Sequence, residues 1–181
     1  MLFDPRQHPE VINKLNDTDT AERLRAIEHL AFAIYENEGR DFVVKLLAPL
    51  FHDPNSEIRG AACHAIEEMG LTESCIGSVV NKLACGNPTA QRLVLHCITW
   101  GQYPESVMQP AIMPVMRLLG SDDGYIRFEA HRWLRERPVE ALRIAAKKLA
   151  SESGNPEDQK VSKRCQILLR LLQCRMIPRW T

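Results

Sequence analysis

An arginine recurs along this chain at Arg23, Arg59, Arg92 and Arg127, with steps of 36, 33 and 35 residues. Three residues after each stands a small or apolar side chain, and seven after, another, usually apolar: Ala26 and Leu30, Ala62 and Ile66, Leu95 and Thr99, Ala130 and Leu134. Eight or nine residues before each is a leucine: Leu15, Leu50, Leu83 and Leu118. One further step of 35 reaches Ser162, where Cys165 and Leu169 keep the apolar pattern without the arginine. A unit of this length cannot bury an apolar face alone, so the recurrence restricts the chain to units that stack on one another.

Within each unit the apolar residues recur at three- and four-residue spacing, and strand-like alternation never persists. Between the turn signals NDTD, HDPNS, CGNPT, GSDDG and SGNPED, the spacing predicts helices over 10–15, 20–35, 40–51, 57–69, 72–84, 88–101, 106–119, 124–136, 138–150 and 157–173. Asn87-Pro88 and Asn155-Pro156 each set a capping side chain before a proline at the first helical position, where its missing N–H costs least. In HDPNSEIRGAACHAIEEMG (52–70), Asp53 or Ser56 is expected to cap the helix start, and Gly70 to end it in the left-handed region. The helices fall into five pairs, with repeats at 9–36, 40–70, 72–102, 106–137 and 138–174 making a single domain over 1–181.

Composition narrows the class of protein. The chain has 181 residues, 45% of them apolar and 25% charged, which is ample for a folded core and unlike a disordered chain. No apolar run approaches the roughly 18–20 residues of a membrane-spanning helix. The start, MLFDPRQHPEV, lacks the basic and apolar regions of a signal peptide. The six cysteines (63, 75, 85, 97, 165, 174) contain no C-x-x-C pair and read as reduced, buried thiols, so a cytoplasmic protein is expected. The zero net charge hides an asymmetry. Residues 1–90 hold 8 basic against 14 acidic side chains, and residues 91–181 hold 15 against 9. The C-terminal half is therefore expected to favour an acidic partner element.

The fullest repeat, Asp53-Pro54…Ile58-Arg59…Ala61-Ala62…Ala65-Ile66…Gly70, resembles the HEAT repeats, in the short form also found in bilin lyases and small bacterial repeat proteins. The resemblance extends over nearly the whole chain. It implies an all-α fold, a right-handed α/α superhelix of about five helical hairpins whose second helices line the concave surface. It also implies a ladder in which an acid before each second helix meets the arginine, pairing Asp17 with Arg23 and Asp53 with Arg59. Gly86 and Ser121 stand at the acid position before Arg92 and Arg127, so the ladder is expected to be incomplete in the C-terminal half.

No nucleophile elbow, phosphate loop or zinc-protease motif is present, and no acid, base and nucleophile come together, so no catalysis is expected. Cys63, His96 and His131 share a repeat position. Helices in a stack lie about 8–10 Å apart, so three such residues do not converge on the roughly 2 Å bonds of zinc; neither metal nor cofactor is expected. Glu67-Glu68 reads as a solvated face, and Asp122-Asp123 as a cap. Positions one, five and eight after each arginine share a helix face. In the third and fourth repeats they hold Leu93, Cys97, Trp100 and Phe128, Arg132, Arg135. From these, Leu93, Trp100, Phe128, Arg132 and Arg135 are the expected partner-binding residues, an aromatic and arginine composition typical of interfaces. Trp133 is expected to point into the core. A protein-binding scaffold is the leading reading. Two other readings stand beside it: a nucleic-acid protein related to the HEAT-like alkylpurine DNA glycosylases, with partial support from Trp100, Trp133 and the basic half, and, from the repeat resemblance alone, a bilin lyase. Met176, Ile177 and Trp180 are expected either to cap the open end of the array or to join two chains.

Overall fold

The computed structural model describes residues 4–33, 37–101, 103–152 and 156–176, which are helices and the turns between them. Ile177 and Trp180 lie outside these residues, as do the side chains of Met176, Cys85 and Cys174. The α-helices are α1 (Pro9–Lys14), α2 (Thr20–Phe32), α3 (Asn37–Leu47), α4 (Ser56–Met69), α5 (Ile76–Val80), α6 (Pro88–Trp100), α7 (Glu105–Met108), α8 (Ile112–Arg117), α9 (Gly124–Leu134), α10 (Val139–Glu152) and α11 (Pro156–Met176). The second helices of the repeats are long and regular, as their spacing predicts. Three of the first helices are not. They run into 3-10 segments at Ala48–His52, Asn81–Cys85, and Gln109–Ala111 with Leu118–Gly120. Pro49, Pro110 and Pro114 explain much of this, because each removes an N–H from the helical ladder. The helix expected from residue 72 begins only at Ile76, since Thr72 and Ser74 turn their hydroxyls onto the Asp41 carboxylate, Thr72 Oγ1 at 2.6 Å.

The chain groups into two compact units, Met1–Val107 and Met108–Thr181. In the first, α4 packs between α2 and α6, so second helices of successive repeats lie side by side, and α3 packs on α5 in the same order. This is the stacking of a helical-repeat protein. Its core is a column of large apolar side chains, among them Ile27, Leu30, Phe51, Ile58, Ile66, Leu95 and Ile98, all fully buried. Ala62, Ala65 and Ala90, equally buried, bring neighbouring helices close. Gly70 ends α4 at φ 77°, a backbone region that suits a residue with no Cβ.

In the second unit α9 packs against α8 and Leu118–Gly120, and α11 against α10 and Leu118–Gly120. Trp133 is 1% exposed and sits in the core with Ile126, Ala130 and Leu134, as expected. The Arg137 guanidinium lies 4.6 Å from its ring centroid. A side chain at Gly120 would stand 2.6 Å from Cγ2 of Val161, and the close approach of α11 depends on that missing methyl group. Cys63, Cys75, Cys97 and Cys165 are buried free thiols. Among the described residues no helix is long and apolar enough to cross a membrane.

Candidate functional site

Four of the second helices, α2, α4, α6 and α9, open with a side-chain cap; Asn155, expected to cap α11, lies outside the described residues. Asp19 accepts from the Ala21 N–H (2.8 Å), Asn55 from Glu57 (2.8 Å), Asn87 from Thr89 (2.9 Å) and Asp123 from Tyr125 (2.9 Å). At α4 the cap is thus Asn55 rather than Asp53 or Ser56, and Asp53 supports it by accepting the Asn55 N–H at 2.9 Å. Four residues after each cap stand Arg23, Arg59, Gln91 and Arg127, whose N–H groups bond back to the cap carbonyls. The ladder residue of the third repeat is therefore Gln91, not Arg92. Gln91 is buried and donates to the Leu83 carbonyl at 2.9 Å, eight residues back, as Arg23 Nε donates to the Leu15 carbonyl at 2.8 Å. Arg92 faces outward.

The acid that Arg23 reaches is Asp53 of the next repeat, the two side chains being 16% and 7% exposed. Arg59 donates to the main-chain carbonyls of Asp53 (2.7 Å) and Pro54 (2.9 Å), and Arg127 to those of Ser121 and Asp122 (both 2.8 Å). Asp17 accepts the Asp19 N–H. The expected pairing of each acid with the arginine of its own repeat is thus replaced. The guanidinium staples its own turn through carbonyls, and in the one pair where it meets a carboxylate it reaches across to the next repeat. Burial raises the Asp53 pKa, but hydrogen bonds from Arg23 and Asn55 and the charges of Arg23 and Arg59 outweigh it and hold the carboxyl below its ordinary value. Because Gln91 carries the third rung, Gln91→Ala should lower stability by about 1–2 kcal/mol through the orphaned carbonyl. Arg92→Ala should change it by less than about 0.5 kcal/mol in urea unfolding.

Moving the third repeat by one position moves its exposed face. Cys97, expected on that face, is fully buried, and Leu93 is half-buried. The outward positions are Arg92, His96 and, at the end of the helix, Trp100, which is 66% exposed. Glu28, His64 and His96 now share one register position on α2, α4 and α6, all exposed.

On the same face, side chains gather that the sequence left apart. Cys63 and Glu67 are one turn apart on α4, with Cys63 Sγ 3.6 Å from Glu67 Oε1. Glu67 Oε1 is hydrogen-bonded to Nδ1 of His96 on α6, so Glu67 is not simply a solvated carboxylate. The His96 ring sits 5.9 Å from that of Trp100. Behind them, Cys97 Sγ lies 3.3 Å from Cys63 Sγ. The contact with Cys63, and then burial, raise the Cys97 thiol well above its ordinary pKa. The Cys63-x-x-x-Glu67 spacing signals this group; His96 was assigned one position out of phase.

In the second unit α9 carries Tyr125, Phe128 and Arg132, and Arg135, its C-cap with helical backbone angles, continues the series at offsets of three, seven and ten residues, which is one helix face. Tyr125 is 55% and Phe128 63% exposed, Arg135 is exposed, and Arg132 meets Glu129 at 2.7 Å while keeping 42% of its side chain in water. Leu93 and Trp100 belong to the first unit; Phe128, Arg132 and Arg135 belong to the second.

These features define an all-α protein of stacked helical hairpins. No protein-family model matches the chain, and no curated protein matches it. Among solved structures it is similar to an engineered protein from a structural genomics consortium, with 20% identity over 90% of this chain and 78% of that one and a TM-score of 0.44. It is also similar to a designed armadillo repeat protein, with 17% identity over 89% of this chain and 99% of that one and a TM-score of 0.36.

Proposed function

We propose that this chain is a non-catalytic, cytoplasmic binding module of HEAT-like repeats that holds an acidic protein segment against the outer face of α9. The observation that carries the reading is a single helix face bearing two exposed aromatic rings, Tyr125 and Phe128, in line with Arg132 and Arg135. Rings more than half exposed beside arginines supply the contact area and the charge of an interface centre. The excess of basic over acidic side chains in residues 91–181 favours a carboxylate-bearing partner. Trp100 is a further exposed ring, in the first unit. Trp133 is buried and has no face for a nucleic-acid base, which removes one support of the duplex-binding reading.

Selection of short random peptides on the intact chain should enrich segments that combine Asp or Glu with a large apolar residue. Reversing both charges in Arg132→Glu/Arg135→Glu should weaken the selected peptides at least about tenfold, since each exposed pair contributes modestly but both signs change. Arg132→Glu also breaks the Arg132–Glu129 pair, so helical circular dichroism is recorded alongside and should stay unchanged, with Arg135→Glu alone, which leaves that pair intact, giving part of the loss. Equal affinity in the double variant would rule out this face.

A further inference from the structure

We propose that Cys63, Glu67 and His96 form a binding site for one zinc-class divalent metal ion. The thiol, carboxylate and imidazole donor atoms lie within 4.8 Å of one another. Cys63 Sγ is 3.6 Å from Glu67 Oε1, and that oxygen is in hydrogen-bond contact with His96 Nδ1. A tetrahedral ion with bonds of about 2.0–2.3 Å sets its ligand atoms roughly 3.3–3.8 Å apart; the Cys63–Glu67 separation is already at that spacing, and the Glu67–His96 contact opens by about 1 Å to admit the ion.

The fold explains why they meet. Cys63 and Glu67 occupy adjacent turns of α4, and α6 packs against that helix with His96 facing it. Ligands placed one to a helix over successive repeats are set apart by the roughly 8–10 Å between helices, whereas here two ligands share one helix and the third stands on its neighbour.

The donor set selects the ion. A thiolate with an imidazole suits zinc, cobalt or similar borderline metals and disfavours magnesium or calcium, which take oxygen. Three protein ligands leave a fourth position, and on the outer side the His96 side chain is 53% exposed, so water or a partner's donor can reach the ion. The Trp100 ring lies 5.9 Å from the imidazole, and Cys97, fully buried with its Sγ 3.7 Å from the Cys63 carbonyl, lies behind Cys63 and outside the group whose donor atoms all stand within 4.8 Å of one another. Binding replaces the Cys63 S–H bond with a bond to the ion and releases that proton to solvent, and the His96 ring proton moves from Nδ1 to Nε2 as Nδ1 and the Glu67 carboxylate give up their hydrogen bond for bonds to the ion.

Cobalt(II) titrated into the reduced, intact chain tests this. One equivalent should produce a near-ultraviolet thiolate-to-cobalt band together with the visible bands of a tetrahedral ion, and zinc should abolish both. Cys63→Ser should remove the thiolate band. His96→Ala and Glu67→Gln, at partly exposed positions, should each weaken binding at least about tenfold with the helical circular dichroism unchanged, whereas Cys97→Ser should bind as the wild type does. Absence of a saturable spectrum in the wild type overturns the proposal. So does a spectrum lost in Cys63→Ser and Cys97→Ser but intact in His96→Ala and Glu67→Gln, which would mean a dithiol alone binds the ion.

Discussion

Trp133→Ala should lower the unfolding free energy of the second unit by about 4 kcal/mol, the largest single loss expected in this protein. The indole is 1% exposed among Ile126, Ala130 and Leu134, and truncation removes its apolar contacts and leaves a void that α9 cannot close. The Arg137 guanidinium also loses the ring beneath it. Set against a typical total of about 5–15 kcal/mol, such a loss removes roughly a quarter or more of the stability. Urea denaturation followed by far-ultraviolet circular dichroism measures it. Trp100→Ala is the internal control: its ring is 66% exposed, so removal should cost less than about 1 kcal/mol. A Trp133→Ala midpoint indistinguishable from that of Trp100→Ala would contradict the packing of α9.

Asp53→Ala should cost about 3 kcal/mol, well beyond an exposed ion pair. Asp53 is 7% exposed on its side chain and Arg23 16%, so truncation leaves a guanidinium in a poorly solvated place without its anion. It also removes the acceptor of the Asn55 N–H, and Asn55 is the cap of α4. Three roles meet in one carboxylate: ion partner of α2, brace of the α4 cap, and tie between two stacked repeats. Arg23→Met/Asp53→Ala should lose less than the sum of the single changes, because the double variant strands no charge.

The pH dependence follows from the lowered Asp53 pKa. A depressed carboxylate contributes stability that is present above its unfolded value, near the ordinary 3.8, and that is lost as pH falls through its folded value. The stability gap between wild type and Asp53→Ala should therefore be full at neutral pH and shrink below about pH 4. A gap that stays constant into strong acid would show that the ion pair is not what the substitution removes.

The repeat and its helices were legible because the caps, prolines and apolar spacing act locally. Asn87-Pro88 placed α6, and a position six residues after Arg127 placed Trp133 in the core. The ladder was legible only in part. Matching letters chose Arg92, because an arginine stood one position from the place that required a donor. Counting four residues from the cap, which is a geometric rule, finds Gln91 instead. That single step carried Cys97 from the outer face to the interior and brought His96 out beside Glu67.

The sequence by itself determined the helical-hairpin unit, its length near 35 residues and the burial of its apolar stripe, since these follow from hydrogen bonding and side-chain periodicity within one segment. Only the tertiary structure decided that Arg23 crosses to Asp53, and that Cys63, Glu67 and His96 converge between α4 and α6. Those contacts join residues 29–33 positions apart. Their geometry depends on how far one helix slides and rotates on the next, and the buried alanines and large apolar side chains at that contact set it together.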